Sequence, residues 1–285
     1  MNETATSVGG ALVSIAPWTG QALLVGVAAA RFAFAFLMVP LFSRSIVPAT
    51  VRNSIIIAFG LIALVMPIGF DPNRLTAIDW LTLYAREAAA GVTIGFFFGT
   101  MLWALAAAGE IIDTKVGATI GQVVDPLSEA SEPLTATLFA RIGQIVFVSA
   151  GGITLFVGTI MLSFTVWPLG PGGFALDTRA LVLFEGEFGR LFTLAFVFAS
   201  PVLLVLYVID MGLGLLNRFA QQFNVFTLSM PIKSAAATMI IVILLPLMAS
   251  AIEADLGTRS AVSRGMLERI GTPAPPQAPL PEAAR

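Results

Sequence analysis

The chain has 285 residues and contains no histidine and no cysteine, and only 11% of it is charged. The first two absences remove disulfides, thiolate nucleophiles, Ser-His-Asp relays and the usual ligands of zinc and haem together. Enzymatic chemistry would have to run on carboxylates, lysine or the two tyrosines, and no cluster of such residues stands out. No GxxxxGK[ST] loop is present, and "GLGLLNR" at Gly212 lacks both the third glycine and the preceding strand of a dinucleotide fingerprint. The expectation is a non-enzyme with no metal and no cofactor. Soluble domains carry about 25% charged residues. This chain, with 57% hydrophobic residues and a mean hydropathy of +0.92, reads instead as an integral membrane protein or a deeply buried part of a membrane assembly. A net charge of −2 without a basic run gives no reason to expect nucleic acid. Glu3, with no basic residue ahead of the first apolar run, is unlike a cleaved signal peptide.

What is present is apolar length. Uncharged or nearly uncharged stretches fall at Gly20–Phe42, Ser54–Phe70, Ala88–Ala108, Ile142–Trp167, Leu191–Ile209 and Ser234–Ile252. A helix needs roughly 20 residues to cross a ~30 Å hydrocarbon core, and five of the six meet that length, with Ser54–Phe70 marginal. The predicted fold is all-α, with about six long apolar helices in membrane-type hairpins. Residues 1–19 form an N-terminal segment, 20–255 the helical domain, and 256–285 an amphipathic and proline-rich tail. Each of the five loops carries two Lys or Arg residues, so the positive-inside rule is tied. Only the arginines of the tail place the C-terminus in the cytoplasm.

Several features interrupt the apolar pattern. Gly91, Gly95 and Gly99 recur every four residues and share one helical face, where missing side chains allow a close helix–helix seam. Arg31 sits within the first apolar stretch. It either faces protein, water or a carboxylate, or belongs to a shorter helix and snorkels to an interface. Glu110 and Asp113 share a helical face and join Arg31 as candidate buried charges. Beyond them Val116, Gly117, Ala118, Ile120 and Gly121 form a small apolar, glycine-bearing patch before Asp125-Pro126. Such a patch folds into a pore as a plug or lies at an interface as a loop. In "LLNRFAQQFNVFTLSMPIKS" a helix over Leu215–Phe226 would align Phe219, Phe223 and Phe226. Arg218, Gln222 and Asn224 would then occupy other angles. Amides in a low-dielectric setting need partners, so this stretch is a candidate subunit interface.

"LGLLNRFAQQFNVFTLSMPIKS" resembles the signature of the type III secretion export-apparatus family called SctT in injectisomes and FliR in flagella. Arg31, Val39-Pro40, Pro48 and Arg52 resemble its N-terminal pattern, and "GEIIDTKVG" with Asp125-Pro126 its central one. The resemblance extends over about residues 20–255, and "LSMPIKS" is closer to the injectisome branch. Ala220-Gln221-Gln222 departs from the family's usual Ala-Pro-Gln, which removes a local kink, and the proline-rich tail lies outside the family pattern.

The resemblance implies a function that composition does not. A chain of this family is one copy in a hetero-oligomeric export gate of the bacterial inner membrane. It would assemble with SctR-type and SctS-type subunits, beside an SctU-type switch protein and an SctV-type export gate, and would pass unfolded secreted proteins. The gate can sit largely above the membrane plane. By the same resemblance, residues 110–125 correspond to the plug of the closed channel. A reading from a different class remains open on residues alone: a proton-coupled carrier working through Arg31, Glu110, Asp113 and Asp210.

Overall fold

The structure, a computed structural model, describes residues 2–43, 46–66, 70–117, 133–170, 174, 180–219 and 225–270. Among these residues there is no strand. The helices are α1 (Asn2–Met38), α2 (Ala49–Ala63), α3 (Ala77–Val116), α4 (Leu134–Ser149), α5 (Gly152–Val166), α6 (Ala180–Phe219) and α7 (Val225–Ile270). Each of the six apolar stretches lies at least in part on a helix or, for Ile142–Trp167, on the pair α4 and α5, and Ser54–Phe70 does so as far as Ala63. That pair bends by 69° at Gly151, whose φ of +81° is a left-handed conformation open mainly to glycine. Four helices are individually long and apolar enough to cross a membrane, or five spans if the bent pair counts as one. At 15 residues α2 is shorter. The chain is a helical membrane protein.

Local chemistry sets the helix ends. Thr76 and Asp79 form a reciprocal capping box at the start of α3: the Thr76 N–H donates to Asp79 Oδ2 at 2.9 Å, and the Asp79 N–H to Thr76 Oγ1 at 3.4 Å. At its other end α3 stops at Gly117, whose φ is +93° and whose N–H donates back to Asp113 and Thr114 carbonyls. Proline precedes α4, and Pro133 has no side-chain acceptor for the open N–H groups behind it.

The described parts of the chain fall into two compact units. One comprises Met1–Phe97, Phe156–Leu183 and Val262–Arg285, the other Phe98–Leu155 and Phe184–Ala261. The first is built around aromatic rings. Phe32 stacks on Phe59 with ring centroids at 5.4 Å and on Phe164 at 6.0 Å, and Phe36 stacks on Phe42 at 4.0 Å. In the second, Leu102, Leu105, Ile112, Phe139, Val202 and Leu206 are buried. A Cβ on Gly143 of α4 there would meet Leu105 Cδ1 at 2.5 Å and Leu102 Cδ2 at 3.4 Å.

Candidate functional site

Charges in so apolar a chain must be explained one by one. Arg31 of α1 is fully buried and Glu87 of α3 is 1% exposed. Their pairing is bidentate, Nε to Oε2 at 2.7 Å and Nη2 to Oε1 at 3.0 Å. The remaining donors reach Ser163 Oγ at 2.8 Å and the Trp167 carbonyl at 3.0 Å. The Phe164 ring lies 3.8 Å from the guanidinium carbon. Four groups therefore surround one cation within the first unit, and the position faces a carboxylate rather than snorkelling. Glu87 was not singled out in the sequence because it directly precedes the apolar stretch, where an acid reads as a solvated end.

Gly91 follows Glu87 by one turn. A Cβ there would collide with the Arg31 carbonyl, and one on Gly95 would sit 2.5 Å from the Ala35 carbonyl and 2.7 Å from Met38 Cβ. The backbones of α1 and α3 thus approach closely beside the ion pair. Gly99 is buried and belongs to the second unit.

In the second unit Asp113, 3% exposed, accepts the N–H groups of Thr135 at 2.9 Å and Ala136 at 3.1 Å. These are the second and third residues of α4, so a carboxylate from α3 does the capping that Pro133 cannot do. A Cβ on Gly109, one turn earlier, would collide with the Ala136 backbone. Glu110, expected as a buried charge, is instead exposed. Although it and Asp113 are three residues apart, only Asp113 lies toward the start of α4, so the two are not a buried carboxylate pair.

A larger network joins Thr100 of α3 with Glu187 and Arg190 of α6 and Asp255 and Arg259 of α7. Arg259 donates to Asp255 at 3.0 Å, to Glu187 at 3.1 Å and to the Thr100 hydroxyl at 3.1 Å, and Arg190 pairs with Asp255 and Glu187. The i,i+4 spacing of Asp255 and Arg259 was the available signal in the sequence. The third cluster consists of Lys115, Asp210 and Lys233. Lys115 Nζ lies 2.7 Å from Asp210 Oδ2 and 4.0 Å from the centre of the Tyr207 ring, and Lys233 pairs with Oδ1.

Of the plug candidates, Val116 and Gly117 close α3 and are half-buried, whereas Ala118, Ile120 and Gly121 lie outside the described residues. Of the interface candidates, Arg218 and Phe219 are exposed at the end of α6. Gln222, Phe223 and Asn224 lie outside the described residues, and Phe226 is in the first turn of α7 with its side chain outside them too. Among the described residues no group of three or more acidic side chains is arranged to hold a metal ion.

The geometry defines a multi-helix membrane protein whose internal charges bind helix to helix. Its sequence then places it. Residues 22–258 match the family described as bacterial export proteins, family 1. The chain belongs to this family, the SctT/FliR family of export-apparatus proteins. It is 32% identical to the secretion system apparatus protein SsaT of Salmonella typhimurium, covering 74% of this chain and 82% of the relative. It is 28% identical to Yop proteins translocation protein T of Yersinia pestis, over 75% and 82%. Similarity to the flagellar biosynthetic protein FliR of Bacillus subtilis is 26%, covering 85% and 93%.

Proposed function

We propose that this chain is a non-enzymatic subunit of a type III secretion export gate in the bacterial inner membrane, forming the channel entry and plug for unfolded secreted proteins. Its neighbours in this reading are SctR-type and SctS-type subunits, with the SctU-type switch protein and SctV-type export gate alongside. Residues 116–121 are the plug, and the stretch from Arg218 to Phe226 is a subunit interface.

Beyond family membership, one observation carries the reading. Only 28% of the most apolar window of α6 and 22% of that of α7 is buried within the chain. Phe192, Phe196, Met239 and Ile243 are each at least 50% exposed. Those faces need an apolar neighbour, and a neighbouring gate subunit supplies one as lipid does. Of the four charges a carrier would use, three are committed: Arg31 to Glu87, Asp113 to the start of α4, and Asp210 to two lysines. Glu110, the fourth, is exposed, whereas a relay carboxylate faces the bundle interior or a water-filled cavity.

Native mass spectrometry of the tagged chain, gently extracted from its own membrane, tests the reading. One copy with several copies each of two smaller subunits is the expected result. Removing residues 117–121 from such a complex is expected to raise small-ion conductance. A monomer or small homo-oligomer, with transport abolished by Asp113→Asn or Asp210→Asn, would replace the gate with a carrier. Unchanged conductance in an intact complex would remove the plug assignment alone.

A further inference from the structure

The charge clusters differ in balance. Arg31–Glu87 is neutral, as is the exposed Arg74–Asp71 pair. Arg190, Arg259, Glu187 and Asp255 carry two charges of each sign. In the cluster of Lys115, Asp210 and Lys233, by contrast, two ammonium groups share one carboxylate. The cluster is also partly open, with side-chain exposures of 27% for Lys115, 30% for Asp210 and 14% for Lys233. Among the described residues one positive charge therefore lacks a counterion, in a partly open site beside an apolar helix.

Beside it runs a stripe of large apolar side chains. Leu204, Val208, Met211 and Leu215 of α6 are spaced four, three and four residues apart and are 58 to 72% exposed. That spacing is the seam against which a second helix packs knobs into holes. Tyr207 and Asp210 flank the same side of the seam, as g and c positions flank the d and a positions of a heptad. Lipid needs no such spacing, and an anionic headgroup can meet a lysine but does not interdigitate with a heptad-spaced stripe. A helix with an apolar stripe and one flanking carboxylate supplies both.

On the reading of the chain as a gate subunit, we infer that the α6 seam from Leu204 to Leu215 receives a helix of a neighbouring subunit, and that an acidic side chain of that helix completes the Lys115–Asp210–Lys233 cluster. Two lysines then face two carboxylates, as in the balanced network of the same unit.

The test uses the full chain in its own membrane, with a photo-reactive p-benzoylphenylalanine replacing Met211. Irradiation is expected to attach a smaller subunit. Lys233→Met leaves Asp210 paired with Lys115, so the chain's own cluster is neutral while the partner's carboxylate loses its counterion. The yield of the subunit adduct is expected to fall about tenfold or more, and Lys233→Arg to restore it. Protease resistance of α6 equal to wild type shows that Lys233→Met folds. If that resistance is lost, Lys115→Met replaces it, leaving Asp210 paired with Lys233. An unchanged adduct in a folded lysine variant overturns the inference. So do adducts found only on phospholipid, adducts found only within this chain, or no adduct at all. If native mass spectrometry finds no complex with other subunits, the gate reading itself fails. An intact complex whose adduct ignores the lysines sinks only the seam.

Discussion

Replacing Glu87 by glutamine should be among the most damaging single changes in the chain. The substitution keeps volume and one acceptor but removes the one carboxylate that, among the described residues, faces Arg31, which has no exposed surface. Ser163 and the Trp167 carbonyl still accept from the guanidinium, yet neither carries charge. Breaking a buried pair by removing one partner costs about 3–5 kcal/mol, whereas replacing both partners by apolar residues of similar volume is close to neutral or better. Glu87→Gln is therefore expected to lose about 3–5 kcal/mol, and Arg31→Met with Glu87→Leu to recover most of it. The double change is non-additive in a direction that only coupling explains. Trp167 is a built-in reporter, since it is fully buried with its carbonyl bonded to Arg31. With Trp18, Trp80 and Trp103 replaced by phenylalanine, its emission should shift to the red at lower denaturant in Glu87→Gln than in the parent. A loss below about 1 kcal/mol, or a double variant no more stable than the single one, would refute the argument. Arg31 would then be hydrated or held by something other than Glu87.

Two further changes probe the helix contacts. Asp113→Ala removes the acceptor for the Thr135 and Ala136 N–H groups and should cost about 0.5–2 kcal/mol, read as faster hydrogen exchange at those two amides. Asp113→Asn should retain most of the protection, and export with it. Gly91→Ala puts a methyl group against the Arg31 carbonyl and should cost about 1–3 kcal/mol by overpacking. Gly158→Ala has nothing within 4 Å of the new Cβ and should be neutral or slightly stabilising in its helix. The same denaturant titration compares the two, and equal stability would mean that α1 and α3 do not meet at Gly91.

Hydropathy located the helices because burial and lipid exposure both demand apolar side chains. It did not see where they end. α3 runs on through Glu110, Asp113 and Lys115, because tertiary partners receive Asp113 and Lys115 and the helix has no reason to stop before Gly117. Nor did it resolve the turn inside Ile142–Trp167, where Gly151 and Gly152 were the only marks and small residues look apolar on any scale. Arg31 was conspicuous, but its partner lies 56 positions away along the chain, and nothing local joins the two. Asp210 stood out as a charge near an apolar helix. Its two lysines come from opposite sides in sequence, so the excess charge became legible only once the helices were folded together. Glu110 shows the converse: a three-residue spacing fixes a shared helical face but not which neighbour that face meets.

The bare faces of α6 and α7 also bear on the life of the chain before assembly. In a solitary copy lipid must cover the faces that, on the gate reading, neighbouring subunits cover. Assembly then exchanges lipid contacts for helix contacts at little hydrophobic gain, since lipid tails are as apolar as the side chains they leave. The hold of such a chain on its neighbours should therefore rest on close packing and polar contacts rather than on the apolar area of α6 and α7.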